Sequence, residues 1–149
     1  MSEPILTDEH VATIAAAAEA IIPADDFDGG VAPLDPGPVI ATRARYQAHV
    51  ARLYAQGLAA LEQSVSIMFP GRRFVELSLA ERGRVLTAMR NGAAPGVAWR
   101  DVSSQEFYRT LRGDVCFVYT TDPDVCRRIG FPGPSTSAGG YPDYDRPQA

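Results

Sequence analysis

Two histidines, His10 and His49, and three closely spaced aspartates, Asp25, Asp26 and Asp28, are the first residues to test for chemistry. Imidazole titrates nearest neutral pH and is the commonest general acid or base, but it needs a nucleophile or an orienting group within reach. His10 falls in the first turn of an amphipathic segment and His49 beside the apolar stripe of another, positions that a surface histidine fills without catalysis. The aspartates are spaced like the opening of a calcium loop, yet the later glycine and closing glutamate of an EF-hand do not follow at the required offsets. A solvated acidic loop is the expectation there. Cys116 and Cys126 lack CxxC spacing and have no histidine close in sequence, which argues against zinc and covalent haem. Two buried free thiols are one reading, and a bridge between them or to a partner chain is the other. No strand-to-helix glycine loop, phosphate cradle or GxSxG elbow occurs. A free-standing enzyme is therefore the weaker class of answer.

The composition agrees. The chain has 149 residues, 46% hydrophobic and 21% charged, enough for one domain with a real core. Its formal charge of −4, with no run of adjacent basic residues longer than the pairs Arg72–Arg73 and Arg127–Arg128, speaks against a nucleic-acid footprint. All fourteen basic residues are arginine. The opening MSEPILTDEH has acids where a secretory signal carries positive charge, and no apolar run is long enough to span a bilayer. The expectation is a chain with no export address and no direct membrane insertion, cytoplasmic or carried to the periplasm by a partner.

The elements that must position these residues are helical. Thr7 to Ile22 repeats Val11, Ile14, Ala15, Ala18, Ile21 and Ile22 on one face behind a Thr7 cap, and Pro23 stops it. PADDFDGGVAPLDPGP then reads as a long loop. From Val39 a second stripe runs through Tyr46, Val50, Tyr54, Leu58, Leu61 and Val65 to Phe69, with a kink or break expected near Gly57. Ser78 and Glu81 form a capping box for a third helix, with Leu79, Leu86 and Met89 facing inward, ending at Asn91 and Gly92. Ser103 and Glu106 open a fourth helix carrying Phe107, Tyr108, Leu111, Val115 and Val118. Its β-branched end, VCFVYTT, competes as a strand, and helix is preferred. TDPDVCRRIG is expected to make a turn or a single helical turn. The fold expected is an all-α bundle of four to five helices over residues 1–129, followed by an extended arm over 130–149.

That arm raises its own question. Four prolines and four glycines in twenty residues favour disorder, yet Phe131, Tyr141 and Tyr144 are rings that can each bury about 150–250 Å². Prolines reduce the entropy lost on ordering, so the combination suits an arm that docks on a partner. Phe131, Pro132, Pro134, Tyr141, Pro142 and Tyr144 are the candidate partner-binding residues. No residue is assigned to catalysis, cofactor or metal.

Four blocks, LTDEHVATIAAAAEAIIPADD, YAQGLAALE, FVELSLAERGRVLTAM and IGFPGP followed by GYPDY, resemble the gluconate 2-dehydrogenase subunit 3 family. The resemblance implies an α-helical, chaperone-like small subunit without a redox centre. Its partner would be a large flavoprotein of the glucose-methanol-choline group that holds FAD and oxidises a sugar, sugar acid or alcohol. Some complexes of this type add a cytochrome subunit. The resemblance implies a twin-arginine signal in many relatives, and none is expected on this chain. The alternatives are a helical enzyme or small-molecule binder with an inter-helix site at His49, Tyr46 or the acidic loop, and a homo-oligomer with swapped arms.

Overall fold

The computed structural model describes residues 6–131. Among them are six α-helices, α1 Asp8–Ile21, α2 Pro36–Arg45, α3 Ala48–Met68, α4 Leu79–Arg90, α5 Ser104–Thr121 and α6 Pro123–Ile129, with short 3₁₀ turns between and no strand. The all-α expectation holds, with one helix more than the upper count. VCFVYTT stays helical because Val115 and Val118 continue the buried stripe of Phe107 and Leu111. Propensity yields to that period. TDPDVCRRIG forms α6, two turns rather than one, capped by Asp122 at the Val125 N–H with Pro123 in the first turn.

The second stripe is two helices. The break falls at Tyr46 and Gln47, where Gln47 is extended, and not near Gly57. Ile40 and Ala44 before the break, and Ala51, Tyr54 and Leu58 after it, would lie on one face of a continuous helix, so periodicity alone does not reveal the turn. An unbroken rod of that length would reach about 45 Å and carry one end beyond the core. Folding at Gln47 lets both apolar faces bury together and leaves Tyr46 84% exposed. The loop before α2 is correspondingly shorter. Gly37 in α2 approaches α1 so closely that a Cβ there would lie 2.7 Å from the Val11 carbonyl.

Gly57 has a packing role instead. A Cβ at this position would lie 2.4 Å from Cγ of Phe107, so the absence of a side chain lets that ring rest on the backbone of α3. Phe107 also meets Tyr54 edge-on at 5.6 Å and tilts against Trp99 at 6.4 Å. Trp99 donates its indole N–H to Ser64 at 2.7 Å, and Ser64 donates to the Pro95 carbonyl at 2.5 Å, tying the α4–α5 connection to α3. Arg82 joins α4 to α1 through Glu19 at 3.1 Å and reaches the Val75 carbonyl at 3.0 Å. The Ser78–Glu81 capping box forms as expected, but Leu79 is 45% exposed, and Val85 takes the inward place beside Leu86 and Met89.

Gly57→Ala is expected to lower unfolding free energy by about 1–3 kcal/mol through overpacking against Phe107. Gly83→Ala, in α4 with nothing within 4 Å of its added Cβ, should be neutral or stabilising by up to about 1 kcal/mol. Urea midpoints at constant m-value compare the two directly.

Candidate partner-docking face

The aspartate-rich loop is built, not merely solvated. Pro23 ends α1, and the chain turns so that the Val31 N–H returns to the Ile22 carbonyl at 3.1 Å. Asp25 Oδ1 accepts the N–H groups of Phe27 and Asp28 at 2.8 and 2.9 Å. Asp28 Oδ1 accepts the Gly30 N–H at 2.6 Å. Gly30 sits at φ 68°, and a Cβ on it would meet the Ile22 carbonyl at 2.5 Å, so no other residue closes this loop without strain. Asp26 stays exposed.

The second oxygen of Asp28 leaves the loop. It accepts the Tyr119 hydroxyl at 2.5 Å from the last turn of α5 and the Arg128 guanidinium at 3.0 Å from α6. The Tyr119 bond above all, then the Gly30 N–H and Arg128, holds the Asp28 carboxyl below its ordinary 3.8. The same bond and partial burial raise the Tyr119 phenol above its ordinary 10.0. Consecutive helices α5 and α6 thus meet the loop, 91 and 100 positions earlier in the chain, on one carboxylate.

This junction presents apolar side chains to solvent. Phe27, next to Asp28, is 90% exposed; Ile129, next to Arg128, is 58% exposed; Phe131, just past Gly130 at φ 74°, is 43% exposed. Val125 anchors α6 from beneath at 2% exposure, and the Phe131 N–H closes the helix end on the Cys126 carbonyl at 2.9 Å. Of the candidate partner-binding residues, only Phe131 falls within the description; Pro132, Pro134, Tyr141, Pro142 and Tyr144 lie outside the described residues. Phe27 and Ile129 are exposed apolar residues that the sequence reading does not single out. Phe27 carried the signal applied to the arm: a large ring isolated among breakers and acids.

The remaining candidates are dispersed. His10 accepts the Thr7 N–H at 3.0 Å while its own N–H bonds the Thr7 hydroxyl, which makes it the third residue of a helix-capping box. His49 lies exposed on α3. Tyr46 borders a cleft of about 310 Å³ between α2 and α5, which neither His49 nor the acidic loop lines. There Arg43 stacks on Phe117 at 3.6 Å and faces Asp114 at 3.6 Å. Asp114 also accepts the buried Tyr54 hydroxyl at 2.6 Å. Burial first, and that carboxylate second, push the Tyr54 phenol far above its ordinary value. Cys116 and Cys126 are free thiols, but neither is fully buried: Cys116 is exposed, and Cys126 is half-buried with its Sγ on the Thr120 carbonyl at 3.0 Å. Among the described residues no three His, Cys, Asp or Glu side chains converge as metal ligands, and no helix is long and apolar enough to cross a membrane.

The described residues thus form a helical fold with exposed apolar side chains beside the Asp28 junction and with His10, His49 and the two thiols far from one another in role. The family model for Gluconate 2-dehydrogenase subunit 3 matches residues 8–133, and the chain belongs to that family. The matched stretch includes Phe131 and Pro132 and stops short of the GYPDY block. No curated protein and no solved structure matches the chain.

The junction should hold between two titrations. Asp28, with its pKa lowered on folding, contributes stability above about 3.8 that is lost as pH falls through its depressed value. Tyr119, with its pKa raised, contributes stability below about 10 that is lost as pH rises through the raised value. Hydrogen-exchange protection of α6 is expected to stay level between these limits and to fall outside them. Asp28→Asn should remove the acid limb.

Proposed function

We propose that the chain is a non-catalytic small subunit of a heteromeric FAD-dependent dehydrogenase acting on a sugar, sugar acid or related alcohol. It binds and stabilises a large flavoprotein of the glucose-methanol-choline group, which holds the FAD and the reacting groups. In assemblies of this type that include one, a cytochrome subunit accepts the electrons. Family membership supports the assembly, and one structural observation carries the contact: the exposed rings of Phe27 and Phe131 stand on a junction braced by Asp28, Tyr119 and Arg128. Phe27, Ile129 and Phe131 are exposed apolar residues next to the groups of one junction, and a grouping of exposed apolar side chains supports a contact surface where a lone one would not. Anchors of this kind, aromatic and held before binding, dominate interface energetics. The arm from Gly130 extends this contact along the large subunit, with Phe131 and Tyr141 as anchors and Pro132, Pro134, Pro142 and Tyr144 shaping its path.

The test is co-expression with a large flavoprotein of the glucose-methanol-choline group from the same genome. A stoichiometric complex with flavin absorbance and dehydrogenase activity is expected, and activity by this chain alone would overturn the proposal. Phe27→Ser should weaken the complex by about tenfold or more, while shifting the isolated chain's stability by less than about 0.5 kcal/mol. Undiminished pairing by Phe27→Ser combined with Phe131→Ser would remove this face from the interface.

A further inference from the structure

A second surface feature lies along α5 and ends at Tyr119, one of the residues that brace the first. Gln105, Arg109, Arg112, Cys116 and Tyr119 follow at four- and three-residue steps and form one stripe. Arg90, at the end of α4, joins Arg109 and Arg112 around a cleft of about 300 Å³ floored by Tyr108. A second cleft of about 300 Å³ shares Tyr108 and Arg112 and continues over Ile21, Ile22 and Leu86 to Cys116. An apolar trough thus abuts three guanidinium groups. Among the described residues none of the three pairs with a carboxylate. On a chain of net charge −4, an unpaired cationic cluster beside apolar surface fits an acidic, aromatic peptide.

We infer that in the free chain this groove is occupied by the chain's own segment Tyr141–Asp145, YPDYD. Its composition matches the groove. Asp143 and Asp145 supply carboxylates for the planar guanidinium groups, and Tyr141 and Tyr144 supply rings for the trough over Ile21, Ile22 and Leu86. The geometry of exit also matches. Because Asp28 gathers Tyr119 and Arg128, α6 is held at the far end of the same stripe, and the described chain stops there at Phe131. From Tyr119 back to Gln105 is about 21 Å at 1.5 Å per residue. The ten residues 132–141 span up to about 33 Å when extended. Tethering supplies an effective concentration on the order of mM, so individually weak ion pairs suffice. Self-docking covers apolar surface until the large subunit takes the arm. The inference concerns the isolated chain and stands or falls separately from the assembly.

Cys116 provides the probe, since it lines the trough and is exposed. In full-length chain carrying Cys126→Ser and Tyr144→Cys, mild oxidation with diamide should form an intramolecular disulfide in the monomer. The rate should exceed, by about tenfold, that of a control in which Cys116→Ser and Phe117→Cys move the fixed thiol off the stripe. Arg109→Glu with Arg112→Glu should slow trapping about fivefold or more, and Asp143→Arg with Asp145→Arg should restore it in that background. Arg109→Gln with Arg112→Gln, milder in charge, should slow it in the same direction. Trapping equal to the control, or insensitive to both arginine pairs, overturns the inference. Concentration-dependent dimers in place of the intramolecular product also overturn it, assigning the groove to a second copy.

Discussion

The Asp28 carboxylate is the point on which the junction of the acidic loop, α5 and α6 depends. One oxygen folds its own loop by holding the Gly30 N–H, and the other binds Tyr119 and Arg128, residues 91 and 100 positions away. A charge-assisted bond to each partner is stronger than a neutral one, and the side chain is only 13% exposed, so water competes poorly for it. Without that carboxylate α6 would keep Val125 and its own caps but lose its polar tether to the loop.

Beneath this junction, the bundle is assembled by close approach more than by bulk. Ala16, Ala17 and Ala18 lie buried in α1, and Gly37 brings α2 onto it. Gly57 lets Phe107 sit against α3, and Tyr54 and Trp99 complete an aromatic group spanning three elements. Small residues shorten inter-helix distances, and the large rings fill what remains. Such a core leaves little freedom for the helices to slide. Close packing beneath the junction would limit the conformational entropy lost if another chain covered the exposed rings.

Helix α5 organises both sides of the molecule. Its buried face carries Phe107, Leu111, Val115 and Val118. One exposed edge bears Asp114 and Phe117 against Arg43, a pairing closed within the chain. Another bears Arg109 and Arg112 with no carboxylate among the described residues, and ends at Tyr119. A single helix thus supplies core, internal ion pairing and open cationic surface. The family to which the chain belongs is named for its place as a subunit, and a surface divided in this way suits contact with other chains.

Helix identity was legible from local rules. Caps at Thr7, Ser78 and Ser103, stops at Pro23 and Gly92, and the three- and four-residue spacing of apolar side chains define most of α1, α3, α4 and α5, because these signals act within one or two turns of backbone. Phe131 stood out for the same reason, as a ring among breakers, and it is 43% exposed. What only the tertiary structure decided depends on distant partners. The break at Gln47 follows from the core's limited width, since one apolar stripe crosses it without interruption. Gly57 looks like a helix breaker until Phe107, fifty residues later, occupies its missing side chain. The aspartates look solvated until Tyr119 and Arg128 arrive to bind one of them, and His10 looks available for chemistry until Thr7 turns back onto its ring. Periodicity records which face of a segment is apolar, whereas the partner that face or carboxylate meets is set by how the helices pack.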